Sequence, residues 1–307
     1  MNNLSTGLSI AAVEQETGLS KDVLRVWERR YGFPLPLRAA GGERLYPEEQ
    51  LAKLKLVRRL MDAGMRPGRI LALPLEHLME LARGGEGEPE PATAEHEVAL
   101  ELLRAHRGAE LRNALQHAIL RDGLFRFLTD MAGPLAVRVG EAWMRGEIRV
   151  FEEHLFTEQL TAVLRAAMPR NDGGAQPPRV LLTTLPGEHH GLGLLMAEAA
   201  LRLEDAEVVS LGTQTPAGDI IAAAAAKRSD VVALSFSANY PSGGLVEAIG
   251  GLCAALPEAT ALWCGGAGVA RLRRAPQGVV CLSGLADIGT EVAAWRAARG
   301  GKEAVAR

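Results

Sequence analysis

Glu188, His189 and His190 lie between an apolar run of strand length and a helix-like run, in the segment LLTTLPGEHHGLGLLMAEA at residues 181–199. Because successive side chains of an extended segment point in opposite directions, we expect Glu188 and His190 on one side and His189 on the other. A carboxylate placed there can hold one ring nitrogen of His190 and leave the other to bind a metal. Gly193 would let a large planar group approach the backbone. The pattern predicts His190 as a metal ligand; the alternative is a polar loop with two incidental histidines.

The element that would position this segment is a parallel sheet, predicted at residues 179–307. Five short apolar runs follow one another there, separated mostly by Ala- and Leu-rich stretches of helix length: RVLLTTL, AEVVSLG, DVVALSF, TALWCGG and GVVCLSG. Buried strands that alternate with helices are typical of a doubly wound α/β domain, a Rossmann-like fold. In such sheets ligands bind outside the carboxyl ends of the strands, where the histidine segment lies. The run GGAGVA at 265–270 follows a late strand and lacks a downstream acid, so it is not read as a nicotinamide loop.

The N-terminal segment differs from the rest in charge. Residues 1–75 hold twelve Lys/Arg and eight Asp/Glu, a net charge of +4, whereas the remainder carries −7 within a total of −3. The order helix, glycine-containing turn, helix and short hairpin predicts a winged helix-turn-helix at residues 1–78, with Ser20 as the second helix's N-cap. A basic face of this kind suits DNA, although it would also suit a protein–protein module. The predicted DNA contacts are Arg25, Arg29, Arg30, Arg38, Arg44 and Tyr46.

The middle of the chain is predicted to be a linker followed by a helical bundle. Residues 79–97 are rich in Gly, Pro and Glu and read as a flexible linker, and residues 98–170 show helical periodicity. A second linker is expected at 169–178. The three separated cysteines are predicted to be reduced core residues of a cytoplasmic protein, because no secretion signal or apolar stretch of membrane-spanning length is present.

The run R-V-W-E-R-R-Y-G at residues 25–32 and the R-L-Y at 44–46 closely resemble the MerR family of winged helix-turn-helix regulators, over about the first 75 residues. The resemblance implies binding to double-stranded operator DNA. MerR regulators usually dimerise through a long helix directly after this module, but here the Gly/Pro/Glu-rich linker takes that place. A homo-oligomer, either dimer or tetramer, is therefore expected to form through the remaining domains.

The spacing of residues in the predicted sheet resembles the cobalamin-binding signature D/E-x-H-x-x-G, S-x-L, G-G. After Gly193, forty-one residues precede Ser235, and twenty-seven separate Ser237 from the Gly265-Gly266 pair. The resemblance implies His190 as the lower cobalt ligand, with Glu188 behind it. It also implies that the serine and the two glycines hold the displaced nucleotide tail. Glu188 replaces the commoner Asp, and Ser237 stands where Leu is usual, which weakens the middle element of the signature.

The bundle carries a second resemblance, to the CarH/LitR group of MerR regulators. In that group a Trp, nine residues and a Glu-His pair cover the upper face of cobalamin, and this chain has Trp143, Val150, Glu153 and His154 at matching positions. The group has the same domain order and binds adenosylcobalamin, whose cobalt–carbon bond light cleaves, undoing a DNA-binding tetramer. The photoactive members carry a histidine directly after the Trp; this chain has Met144 there.

These resemblances imply a DNA-binding transcription regulator, a repressor, that is controlled by a bound corrinoid and by light, and that is not an enzyme. Two alternatives remain open. One is a regulator with a vestigial pocket or with a different ligand or chromophore. The other is a corrinoid methyl-transfer or mutase module, which shares the bundle and the sheet; the fused DNA-binding module and the absence of a substrate barrel argue against it.

Overall fold

The computed structural model describes residues 7–38, 44–62, 65–82, 93–169, 174–238, 240, 244–270, 272 and 276–305. The chain divides into two compact units. One contains residues 1–88 and 144–147, and the other contains residues 89–143 and 148–307.

The first unit is a winged helix-turn-helix with one strand more than the sequence predicted. Helices α1 and α2 begin at serine caps: Ser9 Oγ accepts from the amide of Ala12, and Ser20 Oγ accepts from the amide of Val23, as predicted for Ser20. The predicted hairpin is joined by β1, giving an antiparallel sheet of order β1-β3-β2. The elements in chain order are β1 (Gly7–Ser9), α1 (Ile10–Thr17), α2 (Lys21–Tyr31), β2 (Leu37–Arg38), β3 (Arg44–Pro47), α3 (Glu48–Asp62), α4 (Pro67–Ile70) and α5 (Leu75–Ala82).

The second unit begins with the helical bundle. Its helices are α6 (Ala94–Arg104), α7 (Gly108–Asp122), α8 (Leu124–Arg126), a π-helical stretch (Phe127–Ala132), α9 (Gly133–Arg145) and α10 (Val150–Ala167). The predicted linker at 79–97 contains helix at both ends, because α5 continues to Ala82 and α6 starts at Ala94. Thr93 caps α6 reciprocally with His96, which explains the early start. The linker residues 83–92, and residues 170–173 of the second linker, lie outside the described residues.

The second unit continues as the predicted doubly wound parallel sheet. All five predicted strands are present and parallel, in the order β5-β4-β6-β7-β8. The strands are β4 (Gln176–Thr183), β5 (Ala206–Gly212), β6 (Val231–Ser235), β7 (Ala261–Gly265) and β8 (Val279–Cys281). The helices are α11 (Leu192–Leu203), α12 (Ala217–Lys227), α13 (Leu245–Ala255), α14 (Ala267–Ala270) and α15 (Asp287–Val305).

Each face of the sheet packs into a core of its own. Val180 and Leu182 of β4 belong to a core that includes Leu195 of α11 and Phe156 of α10, so the bundle and one face of the sheet are packed together. Leu181 points to the other face and packs into the core beneath α12 and α13. This alternation along β4 is what a strand buried on both faces requires.

The cysteines lie closer together than their sequence separation suggests. Cys264 and Cys281 are register partners on β7 and β8, and Cys253 Sγ lies 3.6 Å from the carbonyl oxygen of Gly278. Cys264 is buried, but Cys281 is exposed, contrary to the prediction that all three are core residues. Burial raises the pKa of the Cys264 and Cys281 thiols, which disfavours the reactive thiolate. Among the helices of the described segments, none has the length and apolar character needed to cross a membrane.

Candidate functional site

The candidate site lies where the strand order of the sheet reverses. Strand β4 has β5 on one side and β6 on the other, so the connections from β4 to β5 and from β5 to β6 run in opposite directions across the sheet. Ligands of open α/β sheets bind in the crevice at the carboxyl ends of such strands. The loop after β4 carries Glu188 and His190, and the loop after β6 carries Ser237.

Glu188 organises this crevice. Its carboxylate is buried, with 1% of the side chain exposed, and accepts three hydrogen bonds. Oε1 accepts from the His190 backbone amide at 2.9 Å and from His190 Nδ1 at 2.7 Å. Oε2 accepts from the Ser237 backbone amide at 2.7 Å. One carboxylate therefore joins the loops that follow β4 and β6.

The hydrogen bond to Glu188 defines the chemistry of the His190 ring. A carboxylate only accepts, so Nδ1 carries the proton, and the neutral ring keeps its lone pair on Nε2. Ser237 Oγ lies 3.1 Å from the same Nδ1, so two side chains orient the imidazole. About half of the His190 side chain, 46%, is exposed, which leaves the ring accessible to a ligand.

The pair also shifts the titration of both groups. Burial alone would raise the pKa of Glu188, but the hydrogen bonds from His190 and Ser237 outweigh it and hold that pKa below its usual value. The hydrogen bond to Glu188 raises the pKa of His190; burial opposes this, and the charges of Glu188 and Glu153 add to it. The contribution of Glu153 places the start of α10 within electrostatic range of the site.

The neighbouring histidine has different surroundings. His189 is exposed, and within the described residues its side chain makes no hydrogen bond. The structure thus separates the two histidines as the alternation of an extended segment predicted.

Two buried threonines at the end of β4 support the loop, and the sequence interpretation missed them. Thr184 Oγ1 donates to the carbonyl oxygen of Glu188 at 3.1 Å and accepts from the amide of Gln214 at 2.8 Å. Thr183 Oγ1 lies 2.7 Å from Thr215 Oγ1. The signal was a pair of hydroxyl residues ending an otherwise apolar run, since buried hydroxyls need partners.

The predicted tail-binding residues lie at the carboxyl ends of β6 and β7. Ser235 and Gly265 are register partners at the ends of those strands, and a Cβ added to Gly193 would lie 3.1 Å from Ser235 Oγ. Gly266 has a φ of +94°, and a Cβ there would overlap the carbonyl oxygen of Phe236. Glycine is therefore required at position 266 by the close approach of the loops after β6 and β7, whether or not a nucleotide tail is bound.

The four predicted cap residues occupy the end of α9 and the start of α10. Trp143 is partly buried against the shared core, and Val150 is exposed. Glu153 Oε1 accepts from Thr157 Oγ1 at 2.9 Å, while its Oε2 lies 3.7 Å from His154 Nε2. The His154 side chain is 71% exposed, so it is open to a ligand.

The donor set of the site fits a corrinoid better than a metal held by protein alone. Among the described residues there is no group of three or more His, Cys, Asp or Glu that could hold a metal ion. His190 offers one oriented nitrogen, and a corrin ring brings its own four nitrogen ligands. A Cβ at Gly193 would lie only 3.1 Å from Ser235 Oγ, so the glycine lets α11 begin close to the end of β6, beside His190.

In the helix-turn-helix unit, four of the six predicted DNA contacts are exposed. Arg25, Arg29 and Arg30 lie on the solvent side of α2, and Arg38 is exposed on β2. Arg25 pairs with Asp22 at 3.3 Å, and the Arg30 guanidinium stacks over the ring of Tyr31. These residues form a basic surface on and next to the second helix.

The other two predicted contacts are less open. Arg44 Nε lies 3.3 Å from the Glu28 carboxylate, and one third of the Arg44 side chain is exposed. Tyr46 is fully buried, and burial raises the pKa of its hydroxyl. The Tyr46 side chain has no exposed surface through which to contact DNA, since it lies on the central strand β3, which packs against α1 and α3.

Comparison with protein families assigns each part of the chain. The MerR HTH family regulatory protein description matches residues 8–73, and B12 binding domain descriptions match residues 96–167 and 178–283. The first match covers the helix-turn-helix unit, the second the bundle and the third the sheet.

The chain is also similar to named regulators. The HTH-type transcriptional repressor CarH of Myxococcus xanthus is 31% identical over 267 residues, covering 85% of this chain and 88% of that protein. The repressor CarA of the same organism is 30% identical over 218 residues, covering 70% of this chain and 72% of that protein. A corrinoid protein for monomethylamine from Methanosarcina barkeri is a more distant match, with 15% identity, a TM-score of 0.49, and coverage of 63% of this chain and 94% of that one. With its three family matches in this order and its similarity to CarH along most of its length, the chain belongs to the MerR-type regulators that carry a cobalamin-binding module.

Proposed function

We propose that this protein is a transcriptional repressor whose binding to operator DNA depends on a bound corrinoid. The observation that carries the proposal is the Glu188–His190 pair: the carboxylate holds Nδ1, and Nε2 is left as a metal-binding nitrogen. The pair lies in the domain that matches a B12 binding description, in a chain that begins with a MerR module.

Different residues around the site would hold different parts of cobalamin. His190 would bind cobalt from below, and Glu188 and Ser237 would orient its ring. Ser235 and the two glycines would hold the nucleotide tail along β6 and β7. The cap residues Trp143, Val150, Glu153 and His154 would cover the upper face.

The ligand would act on the regulator through the packing of the second unit. The bundle and one face of the sheet share a core. The cap residues lie on helices of the bundle, whereas His190 follows strand β4 of the sheet. A molecule that contacts both parts can bias their arrangement only if it binds one arrangement better than another. Corrinoid binding would select the arrangement that oligomerises and binds DNA. The repressor names of the two relatives support this assignment.

We propose adenosylcobalamin as the physiological form, and light as a signal that removes it. When bound, this cofactor supplies a cobalt–carbon bond that light cleaves. Met144 follows the cap tryptophan, so the upper cobalt position has no imidazole at residue 144. After illumination the protein would therefore either release its corrinoid or keep it in a water-ligated form.

The test is a titration of the purified full chain with adenosylcobalamin and hydroxocobalamin in the dark, followed by absorption spectra. DNA binding is then measured for both samples on a sequence selected from a random pool. We expect saturable binding with an imidazole-ligated spectrum, and operator binding that is stronger with the corrinoid. Operator affinity that is the same with and without the corrinoid would favour a vestigial pocket. Methyl transfer to a thiol acceptor would favour the enzyme alternative.

A further inference from the structure

Gln214 has a backbone conformation that its neighbours in sequence do not explain. Within the described residues, four non-glycine residues have positive φ: His106, Asp205, Gln214 and Arg228. Three of them directly follow or cap a helix, where a left-handed residue is common. Gln214, with a φ of +63°, instead follows a strand. A side chain in this region is disfavoured, and such residues cluster at functional sites.

The loop that contains Gln214 is fastened to the candidate site. The amide of Gln214 donates to Thr184 Oγ1 at 2.8 Å, and the amide of Thr215 donates to the Thr184 carbonyl oxygen at 2.9 Å. The same Thr184 hydroxyl donates to the carbonyl oxygen of Glu188. One buried threonine therefore holds both the Gln214 loop and the loop that presents His190.

The Gln214 side chain is available for a ligand. It is exposed, and within the described part of the chain its amide makes no hydrogen bond. The adjacent Thr213 lies beside the start of α11, since a Cβ added to Gly191 would be 3.7 Å from Thr213 Cγ2. Gly191 directly follows His190, and Gln214 directly follows Thr213. Gln214 is thus at the rim of the crevice, close to the loop that carries His190.

The position of Gln214 in the loop after β5 indicates which part of a corrinoid it would contact. It follows β5, whereas Ser235 and Gly265, the proposed tail-binding residues, are the last residues of β6 and β7, on the other side of β4. A ring centred over His190 extends in both directions, so its rim lies on the β5 side and the tail on the β6 side. The corrin rim carries carboxamide side chains, and a glutamine amide can both donate to and accept from a carboxamide.

We propose that Gln214 binds a carboxamide on the rim of the corrin ring, and that its left-handed backbone serves to point the side chain there. The inference rests on the proposed function, because it requires a corrinoid over His190.

The experiment compares Gln214→Gly with Arg228→Gly in the full chain. Glycine accepts positive φ without cost, so both substitutions preserve the backbone, and only the first removes a side chain at the crevice. Arg228 is a suitable control because it has a φ of 50° and lies before β6, at the opposite end of the strand from the site. The probes are hydroxocobalamin and cobinamide, which has the same ring but no nucleotide tail.

We expect Gln214→Gly to raise the dissociation constant of both corrinoids by about 2- to 12-fold, the range for one lost hydrogen bond. Arg228→Gly should leave both constants unchanged, and neither variant should lower the thermal unfolding midpoint of the ligand-free protein. Unchanged binding by Gln214→Gly, a loss confined to cobalamin, or a loss accompanied by a lower unfolding midpoint would each overturn the proposal. Failure of the unsubstituted protein to bind either corrinoid would instead overturn the proposed function, and this inference with it.

Discussion

At the level of single residues, the site depends on one carboxylate that bonds to one of two adjacent histidines. Glu188 accepts from both the ring and the backbone amide of His190, and His189 takes no part. The carboxylate is buried and bonded on both oxygens, so it cannot turn to the other histidine without leaving the Ser237 amide unpaired. The two histidines therefore provide a matched pair for testing the metal role.

We predict that His190→Ala weakens cobalamin retention and changes the visible spectrum, whereas His189→Ala leaves both close to those of the unsubstituted protein. Losses of a metal ligand or its supporting group typically cost about 10- to 100-fold in affinity. Spectral titration of the two variants with hydroxocobalamin measures both effects. Equal losses from the two variants would show that the assignment to His190 is wrong.

At the scale of elements, the wing is attached to the second helix of the helix-turn-helix unit. Strand β3 carries Arg44, which pairs with Glu28 on α2, and Tyr46, which is buried beside them. The Arg44 side chain is one-third exposed, so it can reach a phosphate only from a position next to the Glu28 carboxylate. Arg38 is its register partner on β2 and is fully on the surface.

We predict that Arg44→Ala weakens binding to all DNA sequences and lowers the slope of log affinity against log salt by about one unit. Each phosphate contact contributes roughly 0.9 to that slope through the release of counterions. Mobility-shift measurements at several salt concentrations, with Arg38→Ala as the comparison, test this. Weaker binding with an unchanged slope would mean that Arg44 only braces the wing against α2.

For the molecule as a whole, the proposed response to light depends on which group would bind cobalt once the cobalt–carbon bond has been cleaved. Residue 144 is methionine, and a neutral thioether is a weaker donor to oxidised cobalt than an imidazole nitrogen. His154 is the other candidate, because its side chain is 71% exposed at the start of α10. In our proposal neither residue retains the corrinoid after illumination.

We predict that Met144→His keeps its corrinoid after illumination and desalting, whereas the unsubstituted protein releases it or keeps a water-ligated form. The added imidazole would supply the donor that methionine lacks. Absorption spectra of the desalted samples provide the measurement, and Met144→Leu is the control for a change of side chain without a donor. A spectrum with two imidazole ligands in the unsubstituted protein would contradict the prediction and implicate His154.

The local elements and the identity of the central Glu188–His190 pair could be predicted from the sequence. The five strands were predictable because strands buried on both faces are continuous apolar runs between helices. The Ser20 cap and the separation of His189 from His190 follow from rules that act over a few residues. Glu188 and His190 were found for the same reason: they are two residues apart.

Which distant residues contact that pair depends on how the sheet is assembled. Ser237 reaches Glu188 because β6 pairs directly with β4, and strand order is set by packing of the whole sheet rather than by any local pattern. Thr184 and Gln214 meet across β4 and β5 for the same reason. Tyr46 is buried where β3 packs against α1 and α3, which no local pattern shows. Strand β1, which pairs with β3, has three residues and is too short to give a periodic signal. Contacts between residues thirty or more positions apart are where sequence reasoning stopped, because their geometry exists only once the sheet has formed.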